Sequence, residues 1–343
     1  MSDGGFDSVL VLSFGGPEKM DDVMPFLRNV LRGRDVPEER LREVAHHYEQ
    51  FGGASPINAQ NRALVTALEA ELAAWGPNLP IYWGNRNWHP MLADTVRQMA
   101  NDGRKRALAF VTSAYSSYSG CRQYREDVER ARAEVGSDAP EILKLRPFHD
   151  HPGFIDANAD AVRKALAEVA EERRAKARLV FTAHSIPVSM AAGCDYEAQL
   201  RETSRLVAEA VAVGGWDLAY QSRSGPPTQP WLEPDVRDHL TALQAGGVET
   251  VVLSPIGFVS DHMEVVYDLD TEARQHAREI GLHVVRAATA GTHPAFVSMI
   301  RELILERTAG GKRRALGRSG PRADTCADVC CPRPVARTPA RPL

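Results

Sequence analysis

The chain has 343 residues, of which 43% are hydrophobic and 25% charged, and its formal net charge is −4. This length allows two domains of ordinary size, and the composition is that of a globular protein. No apolar run approaches the roughly 18–20 residues of a membrane span, and the acidic N-terminus does not resemble a secretion signal, so we expect a cytoplasmic protein.

The charge is unevenly distributed. The last 32 residues hold eight Lys or Arg and two Asp or Glu, which leaves −10 for the rest of the chain. An acidic body argues against a nucleic-acid partner. We expect the basic tail to be a solvated extension, with contact to anionic lipid or a partner protein as the alternative.

Short apolar runs alternate with longer amphipathic stretches along the chain. The runs lack polar alternation, which is typical of parallel strands covered on both faces. The predicted strands are Ser8–Leu12, Pro80–Trp83, Ala107–Thr112, Ile142–Leu145, Leu179–Thr182, Leu218–Gln221, Thr250–Ser254 and His283–Arg286. The predicted helices include Pro90–Asn101, Tyr124–Glu134, Pro152–Lys176, Tyr196–Val213, Glu264–Ile280 and Pro294–Arg307. This order predicts an α/β fold with parallel sheets and two doubly wound domains.

We place an N-terminal domain at residues 1–150 and a C-terminal domain at residues 151–292, with a hinge near Lys144–Asp156 and a cleft between them. The helix within residues 293–310 is expected to pack back on the body. Residues 311–343 form a Pro/Arg-rich, cysteine-containing tail that should lack regular structure apart from whatever its cysteines bind.

His184 follows an apolar strand, at the point where ligands bind in parallel α/β folds. Its imidazole could bind a divalent metal or exchange protons, or it could simply hydrogen-bond the backbone. Glu264, Asp268 and Glu272 share one face of a predicted helix, where like charges destabilise by about 0.2–0.5 kcal/mol per pair. Such a row either faces solvent or guides a cation, and its position after a strand-end loop favours a cation path beside His184.

Five motifs occur in an order that is specific to one family. They are Leu12–Pro17 (LSFGGP), Phe51–Asn58 (FGGASPIN), Phe181–Pro187 (FTAHSIP), Gln221–Pro227 (QSRSGPP) and Ser254–Phe258 (SPIGF). With them, the chain from about Val9 to Leu305 resembles the ferrochelatases, which insert Fe²⁺ into a porphyrin in haem biosynthesis. The resemblance implies a chelatase-like fold of two Rossmann-like domains around a cleft.

The resemblance also implies roles for individual residues. His184 and Glu264 match the paired groups at the metal-insertion site, where they would contact Fe²⁺. Asp268 and Glu272 match the acidic row through which iron would reach this pair. Two further residues match positions that contact the acidic substituents of the porphyrin, namely Ser55 and Tyr124. The composition is similar to that of actinobacterial members, which use coproporphyrin III, so we expect Fe-coproporphyrin III as the product.

Two positions depart from the pattern of some relatives. Phe14 stands where they carry a tyrosine that can approach the iron axially, and a phenyl ring cannot ligate a metal. Leu31 replaces an arginine near the substrate, and the adjacent Arg32 is a candidate substitute. A mechanism that needs the tyrosine oxygen is therefore in doubt for this chain.

Three of the five cysteines, Cys326, Cys330 and Cys331, cluster in the tail. With one cysteine of the body they would form a four-cysteine set suited to a [2Fe–2S] cluster or a structural zinc ion, and idle thiols in a disordered tail are the alternative. The resemblance favours the cluster, because some ferrochelatases hold one with three C-terminal cysteines and one internal cysteine. It implies Cys121 as the fourth ligand and leaves Cys194 spare.

Two other functions stay open. A chelatase for another metal and tetrapyrrole would usually have a shorter chain without the Gln221–Pro227 motif. A porphyrin or haem carrier would use the same cleft without needing the His184–Glu264 pair. We expect a monomer that takes porphyrin and Fe²⁺ as substrates and contacts neighbouring haem-pathway enzymes only transiently.

Overall fold

The computed structural model describes residues 5–33, 36–226, 228–327 and 329–333. This part of the chain forms two four-stranded parallel sheets, with the strand orders β2-β1-β3-β4 and β6-β5-β7-β8. The strands are β1 Ser8–Ser13, β2 Ile81–Asn85, β3 Arg106–Val111, β4 Glu141–Lys144, β5 Arg178–His184, β6 Trp216–Gln221, β7 Thr250–Ser254 and β8 His283–Arg286. All eight predicted strands and the α/β class are confirmed.

Helices connect the strands. The α-helices are α1 Met20–Val30, α2 Glu38–Glu49, α3 Ile57–Trp75, α4 Leu92–Asn101, α5 Gln123–Val135, α6 Pro152–Glu168, α7 Glu171–Arg174, α8 Val188–Ala191, α9 Tyr196–Ala210, α10 Val236–Ala245, α11 Met263–Val265, α12 Arg274–Glu279 and α13 Pro294–Thr308. Two further segments are π-helical, Tyr118–Arg122 and Val266–Ala273. Within the described residues, no helix is both long and apolar enough to cross a membrane.

Two predicted helices differ from the structure. The prediction over Pro152–Lys176 is wrong at Val169, where extended backbone separates α6 from α7. The segment predicted as one helix over Glu264–Ile280 is helical, but its middle is a π-helix that lies between α11 and α12. The apolar periodicity predicted a helix there but carried no information on its hydrogen-bond register.

Both faces of the central strands are buried, which explains their lack of polar alternation. In β1, Val9 and Val11 pack in a core with α3, whereas Leu10 and Leu12 pack in a second core with α4 and α5. In β5, Phe181 belongs to the first of these cores and Val180 to a third one. One core is therefore shared by both sheets.

An aromatic cluster lies where the two sheets meet. The rings of Phe110 and Phe148 stack with centroids 5.2 Å apart, and Phe296 of α13 meets Phe148 edge-on at 5.9 Å. α13 packs against α3 and α6. The connection at residues 145–151, in which the predicted domain boundary falls, is buried throughout.

Glycine permits the close approach of the Phe51–Asn58 motif to the start of α1. Gly53 has a φ of +80°, and a Cβ atom there would lie 2.3 Å from the backbone nitrogen of Met20. Gly16 is equally restricted, because its Cβ would lie 2.8 Å from Cβ of Ser55. These contacts explain why glycines punctuate both motifs.

The prediction of a solvated tail is wrong for the part that the structure describes. The described residues of the tail, 309–327 and 329–333, contain no helix or strand, as expected, but they lie along the body. The backbone nitrogen of Leu316 donates to the carbonyl of Asp150 at 2.9 Å, and Arg322 pairs with Asp195 at 2.7 Å. The arginines of the tail led to the prediction of a solvated segment, but Arg314 and Arg322 form ion pairs with acidic residues of the body. Residues 334–343 and Pro227, the last residue of its motif, lie outside the described residues.

A buried ion pair joins the β4–α6 connection to α13. The side chains of Arg146 and Glu306 are each 1% exposed. Nε and Nη2 of Arg146 donate to the two carboxylate oxygens of Glu306, both at 2.8 Å, and Nη2 also donates to the carbonyl of Arg314 at 2.8 Å. This geometry makes a bidentate, charge-assisted pair that also holds the start of the tail.

Replacing Arg146 by methionine should destabilise the fold by about 3–5 kcal/mol, because Glu306 would stay buried without a partner. The double variant Arg146→Met/Glu306→Leu should recover most of this loss, since no unpaired charge remains. Urea unfolding followed by circular dichroism measures both effects. Arg97→Met, which breaks an exposed pair with Glu134, is the control and should cost less than about 1 kcal/mol. Equal stability of single and double variants would contradict this assignment.

Candidate active site

His184 is the last residue of β5, at the carboxyl edge of the second sheet. Its Nδ1 lies 2.5 Å from the carbonyl oxygen of Ser185, so Nδ1 carries a proton and donates it. Its Nε2 lies 3.6 Å from Oε2 of Glu264. The hydroxyl of Tyr196 donates to the backbone carbonyl of His184 at 2.9 Å. The strand end and these contacts fix which ring nitrogen faces Glu264.

Glu264 lies in α11, directly after the loop that follows β7. His262 caps this helix: its Nδ1 accepts from the backbone nitrogen of Glu264 at 3.2 Å and also lies 3.9 Å from Oε2 of Glu264. Phe258 meets the His262 ring edge-on, with centroids 4.9 Å apart. His262 was not among the site residues predicted from the sequence, although a histidine two residues before Glu264 could have indicated a second imidazole at the site.

The His184–Glu264 pair is open to solvent, with side chains 31% and 52% exposed. Burial lowers the pKa of His184, but the Glu264 carboxylate, with the Ser185 carbonyl and Asp268, outweighs it and raises the pKa to about 9. Burial raises the pKa of Glu264, but His184 and then His262 outweigh it and lower the pKa to about 2. At neutral pH the two groups therefore form an ion pair.

Asp268 lies on the π-helix, and side chains at the end of β6 donate hydrogen bonds to its carboxylate. Nε2 of Gln221 donates to the backbone carbonyl of Glu264 at 3.1 Å and to Oδ2 of Asp268 at 3.4 Å, and the hydroxyl of Ser222 donates to the same oxygen. Burial raises the pKa of Asp268 to about 7, opposed by the Ser222 hydrogen bond and aided by Glu264 and Glu272. Asp268 therefore exchanges protons near neutral pH.

Glu272 is the last member of the acidic row along the chain. Its side chain is 37% exposed, and its Oε1 lies 3.8 Å from Nη1 of Arg237. Glu264 and Glu272 both interact electrostatically with Asp268. Because a π-helix closes i→i+5 hydrogen bonds, its turn is wider than the α-turn assumed from the sequence. Asp268 nevertheless remains close enough to interact with both other carboxylates.

Residues of α2 lie against the π-helix. The ring of His47 stacks on Tyr267 with centroids 3.8 Å apart and planes at 8°. Burial raises the pKa of Tyr48, and the Glu264 carboxylate raises it further, which places the phenol within the field of the site. Phe26 links Tyr48 to Phe14 through edge-on contacts of 6.3 and 6.2 Å. None of the sequence motifs includes His47 or Tyr48, so their proximity to the site was not predictable.

The two predicted porphyrin contacts are both nearly buried. Ser55 is 6% exposed and Tyr124 is 5% exposed. The Arg86 guanidinium lies 4.6 Å from the ring centroid of Tyr124 and 5.8 Å from that of Phe14. Phe14 is 38% exposed. Phe14 thus presents its ring to solvent, while Tyr124 lies behind Arg86.

Arg32, the candidate substitute for the arginine missing at Leu31, lines a cavity of about 490 Å³ together with Arg28 and Trp88. His184 and Glu264 do not line this cavity. It therefore lies outside the ion-paired site but carries two cations suited to an anionic group.

Four cysteines from two distant parts of the sequence meet beside β4. Sγ of Cys330 lies 3.6 Å from Sγ of Cys331, and Nζ of Lys144 donates to Sγ of Cys121 at 2.9 Å. The nearby thiols of Cys326 and Cys331, aided by Lys144, lower the pKa of Cys121. The thiol of Cys194 instead donates to the carbonyl of Met190 at 3.3 Å. Among the described residues, no group of three or more His, Cys, Asp or Glu is arranged to hold a metal ion, and the thiols meet pairwise.

Comparison with solved structures shows a chelatase-like fold. SirB from Bacillus subtilis superposes with a TM-score of 0.54 at 14% identity, covering 88% of this chain and 96% of its own. A multi-domain protein from Deinococcus radiodurans, described as similar to chelatases, superposes with a TM-score of 0.55 at 15% identity. That match covers 90% of this chain and 56% of the other.

Sequence comparison is more specific. A ferrochelatase from Rhodopirellula baltica is 58% identical, covering 98% of this chain and 95% of its own. Coproporphyrin III ferrochelatases from Nocardia farcinica and Mycolicibacterium smegmatis are 52% and 54% identical, covering 95% and 89% of this chain and 96% and 91% of theirs. The family model described as Ferrochelatase matches residues 7–308. The chain therefore belongs to the ferrochelatase family.

Proposed function

We propose that the protein inserts Fe²⁺ into coproporphyrin III in haem biosynthesis and releases Fe-coproporphyrin III. The observation that carries this proposal is the His184–Glu264 ion pair at the carboxyl edge of the second sheet, with 3.6 Å between Nε2 and Oε2. Relatives that are 52% and 54% identical are named coproporphyrin III ferrochelatases. Their names favour this porphyrin over protoporphyrin IX.

The proposed mechanism follows from the charge of the pair. A free-base porphyrin releases two pyrrole protons for each Fe²⁺ that it binds. His184 rests as an imidazolium, because its pKa of about 9 lies above neutral pH. The positive charge of arriving Fe²⁺ disfavours this proton, so a neutral imidazole forms as the metal reaches Glu264. The imidazolium proton leaves to water, and Nε2 of His184 then accepts the two pyrrole protons in turn and passes each on to water.

We assign the acidic row to the iron path. Carboxylate oxygens suit a hydrated divalent cation, and Glu272 forms the end of the row that does not pair with His184. Asp268, with a pKa near 7, releases its proton to water and ionises as the cation approaches. The row thus moves iron inward and protons outward between solvent and Glu264.

The porphyrin would lie against the exposed ring of Phe14. In this proposal Phe14 supplies an apolar surface and no axial oxygen. Ser55 and Tyr124 are proposed to bind the peripheral carboxylates, which requires a local rearrangement because both side chains are nearly buried. Arg32 offers a further cation for a carboxylate in place of the arginine absent at Leu31.

We propose that the four-cysteine site holds a [2Fe–2S] cluster. Four cysteine sulfurs match the number and type of ligands in such clusters. Cys121, Cys326, Cys330 and Cys331 would hold the cluster, which when bound supplies one-electron chemistry. A structural zinc ion is the alternative, because it accepts the same four ligands.

The location and oligomeric state of the protein are part of the same proposal. All five cysteines carry free thiols, which suits the reducing cytoplasm. We propose a cytoplasmic monomer that meets the preceding and following haem-pathway enzymes transiently.

His184→Ala should lower the rate of iron insertion into coproporphyrin III by a factor of about 10²–10⁴, because the proton acceptor is lost. Porphyrin binding, followed by the shift of the Soret band, should stay within about threefold. His46→Ala, which removes a histidine with a side chain 70% exposed on α2, is the control and should be as active as the parent. Retained turnover in His184→Ala would contradict the role of His184 as proton acceptor. If the parent protein prefers protoporphyrin IX, the proposed substrate is wrong.

The imidazole of His184 should titrate near pH 9 in the iron-free protein, and its pKa should fall below about 6.5 in Glu264→Gln, because burial persists while the carboxylate charge is gone. Since the neutral ring is the base, kcat/KM should rise with pH up to about 9 in the parent and level off earlier in the variant. NMR of isotope-labelled histidine measures the first effect. An unchanged His184 titration in Glu264→Gln would show that the pair is not coupled.

Cys326→Ser should abolish visible absorption, bound iron and labile sulfide in anaerobically purified protein, because one of four cluster ligands is missing. Cys194→Ser is the matched control and should keep all three. A colourless parent protein with one zinc ion per chain would favour the structural alternative, and one with no metal would contradict the cluster.

A further inference from the structure

The peptide that joins His184 to Ser185 is held by hydrogen bonds at both of its polar atoms. The backbone nitrogen of Ser185 donates to the carbonyl of Gln221, at the end of β6, at 2.8 Å. The carbonyl of His184 accepts from the hydroxyl of Tyr196, in the first turn of α9, at 2.9 Å. Because His184 is the last residue of β5, these two bonds fix the point from which its imidazole extends.

The Tyr196 hydroxyl stands where a neighbouring strand would otherwise bond. The pairing of β5 with β7 ends three residues before His184. In the loop after β7, the backbone nitrogen of Gly257 still donates to the carbonyl of Thr182 at 3.0 Å. Alternate residues of a parallel strand direct their carbonyls to the same side, so the carbonyl of His184 continues this row. Tyr196 therefore takes the place of a strand partner at the catalytic end of β5.

The phenol of Tyr196 is itself fixed in position. Its side chain is buried, and its ring meets that of Tyr115 edge-on, with centroids 6.1 Å apart and planes at 84°. One turn later in α9, the amide of Gln199 accepts from the backbone nitrogen of Ser116 at 2.7 Å and donates to its hydroxyl at 2.9 Å. These contacts join α9 to the loop after β3, so both sheets contribute to the position of the phenol.

We propose that Tyr196 is a positioning residue that holds His184 opposite Glu264 for the transfer of the pyrrole protons. This inference rests on the proposed iron insertion. Nδ1 of His184 donates to the carbonyl of Ser185, and Nε2 lies 3.6 Å from Oε2 of Glu264. Both contacts depend on the peptide that Tyr196 holds, so a less constrained peptide would displace both ring nitrogens. A small displacement of a proton acceptor is enough to slow the transfer.

A hydrogen bond that only stabilises the fold would have a different effect. If the phenol merely helped α9 to pack on β5, its loss would lower the unfolding temperature and leave the His184 ring and the turnover of the folded protein unchanged. If it positions His184, its loss would weaken the bond from Nδ1 to Ser185 and lower kcat. The KM for the porphyrin would change little, because binding of the ring does not depend on the acceptor.

Tyr196→Phe tests the proposal, because it keeps the ring and removes only the hydroxyl. With coproporphyrin III and Fe²⁺, kcat should fall about threefold to tenfold, as expected for one neutral hydrogen bond, while KM for the porphyrin stays within about twofold. In the iron-free protein with isotope-labelled histidine, NMR should show that the Nδ1 proton of His184 exchanges with water at least about threefold faster. Tyr82→Phe is the matched control. It removes a buried phenol that donates to Asp102 at 2.7 Å in the first sheet, and it should change neither quantity.

The outcomes separate this inference from the proposed function. A Tyr196→Phe protein that unfolds at a lower temperature, but has the parent kcat and the parent exchange rate, overturns the positioning role. Faster exchange with the parent kcat shows that the phenol holds the ring and overturns its role in turnover. A parent protein that does not insert Fe²⁺ overturns the proposed function, and with it the role in proton transfer. If Tyr196→Phe does not fold, Tyr196→Met, which also lacks a donor, is measured for the same two quantities.

Discussion

Burial of apolar surface between the two parallel sheets is the constraint on which the rest of the molecule depends. Residues of β1 and β5 share one core, and α13 completes it by packing on α3 and α6. Each buried phenylalanine contributes roughly 1.5–3 kcal/mol, whereas an exposed ion pair contributes about 0–1 kcal/mol. Each ring of the cluster around Phe148 therefore contributes more than any single surface pair. The hydroxyl of Tyr115, which donates to the carbonyl of Ile256 at 2.8 Å, then ties the loop after β3 to the loop after β7.

The candidate site places three mutually repelling carboxylates next to this core. Three carboxylates follow one another along α11 and the π-helix, and such a row is stable only if other groups oppose the repulsion. His184 pairs with Glu264, Ser222 and Gln221 donate to Asp268, and Arg237 approaches Glu272. The middle carboxylate, Asp268, has a raised pKa, whereas the pKa of Glu264 is lowered. The carboxylate next to His184 is therefore ionised at neutral pH, while Asp268 titrates there.

Much of the fold was predictable from the sequence, because buried parallel strands have a distinctive composition. The same holds for His184 and Glu264, since strand-end loops carry the functional groups of such sheets and five ordered motifs identified the family. The π-helix was not predictable, because a change in hydrogen-bond register leaves the apolar spacing almost unaltered. The proximity of His47 and Tyr48 to the site depends on how α2 crosses the sheet edge, which no local pattern encodes. The tail was misjudged because its arginines pair with acids far away in the sequence.

The path of the tail has a consequence for the unfolded chain. A metal-bridged link between Cys121 and Cys326 would close a loop of about 200 residues. In the chain-entropy model, such a closure removes about 5 kcal/mol of conformational freedom from the unfolded state. That is comparable with the net stability of many domains. Under the proposed cluster, its occupancy would therefore affect how readily the whole chain unfolds.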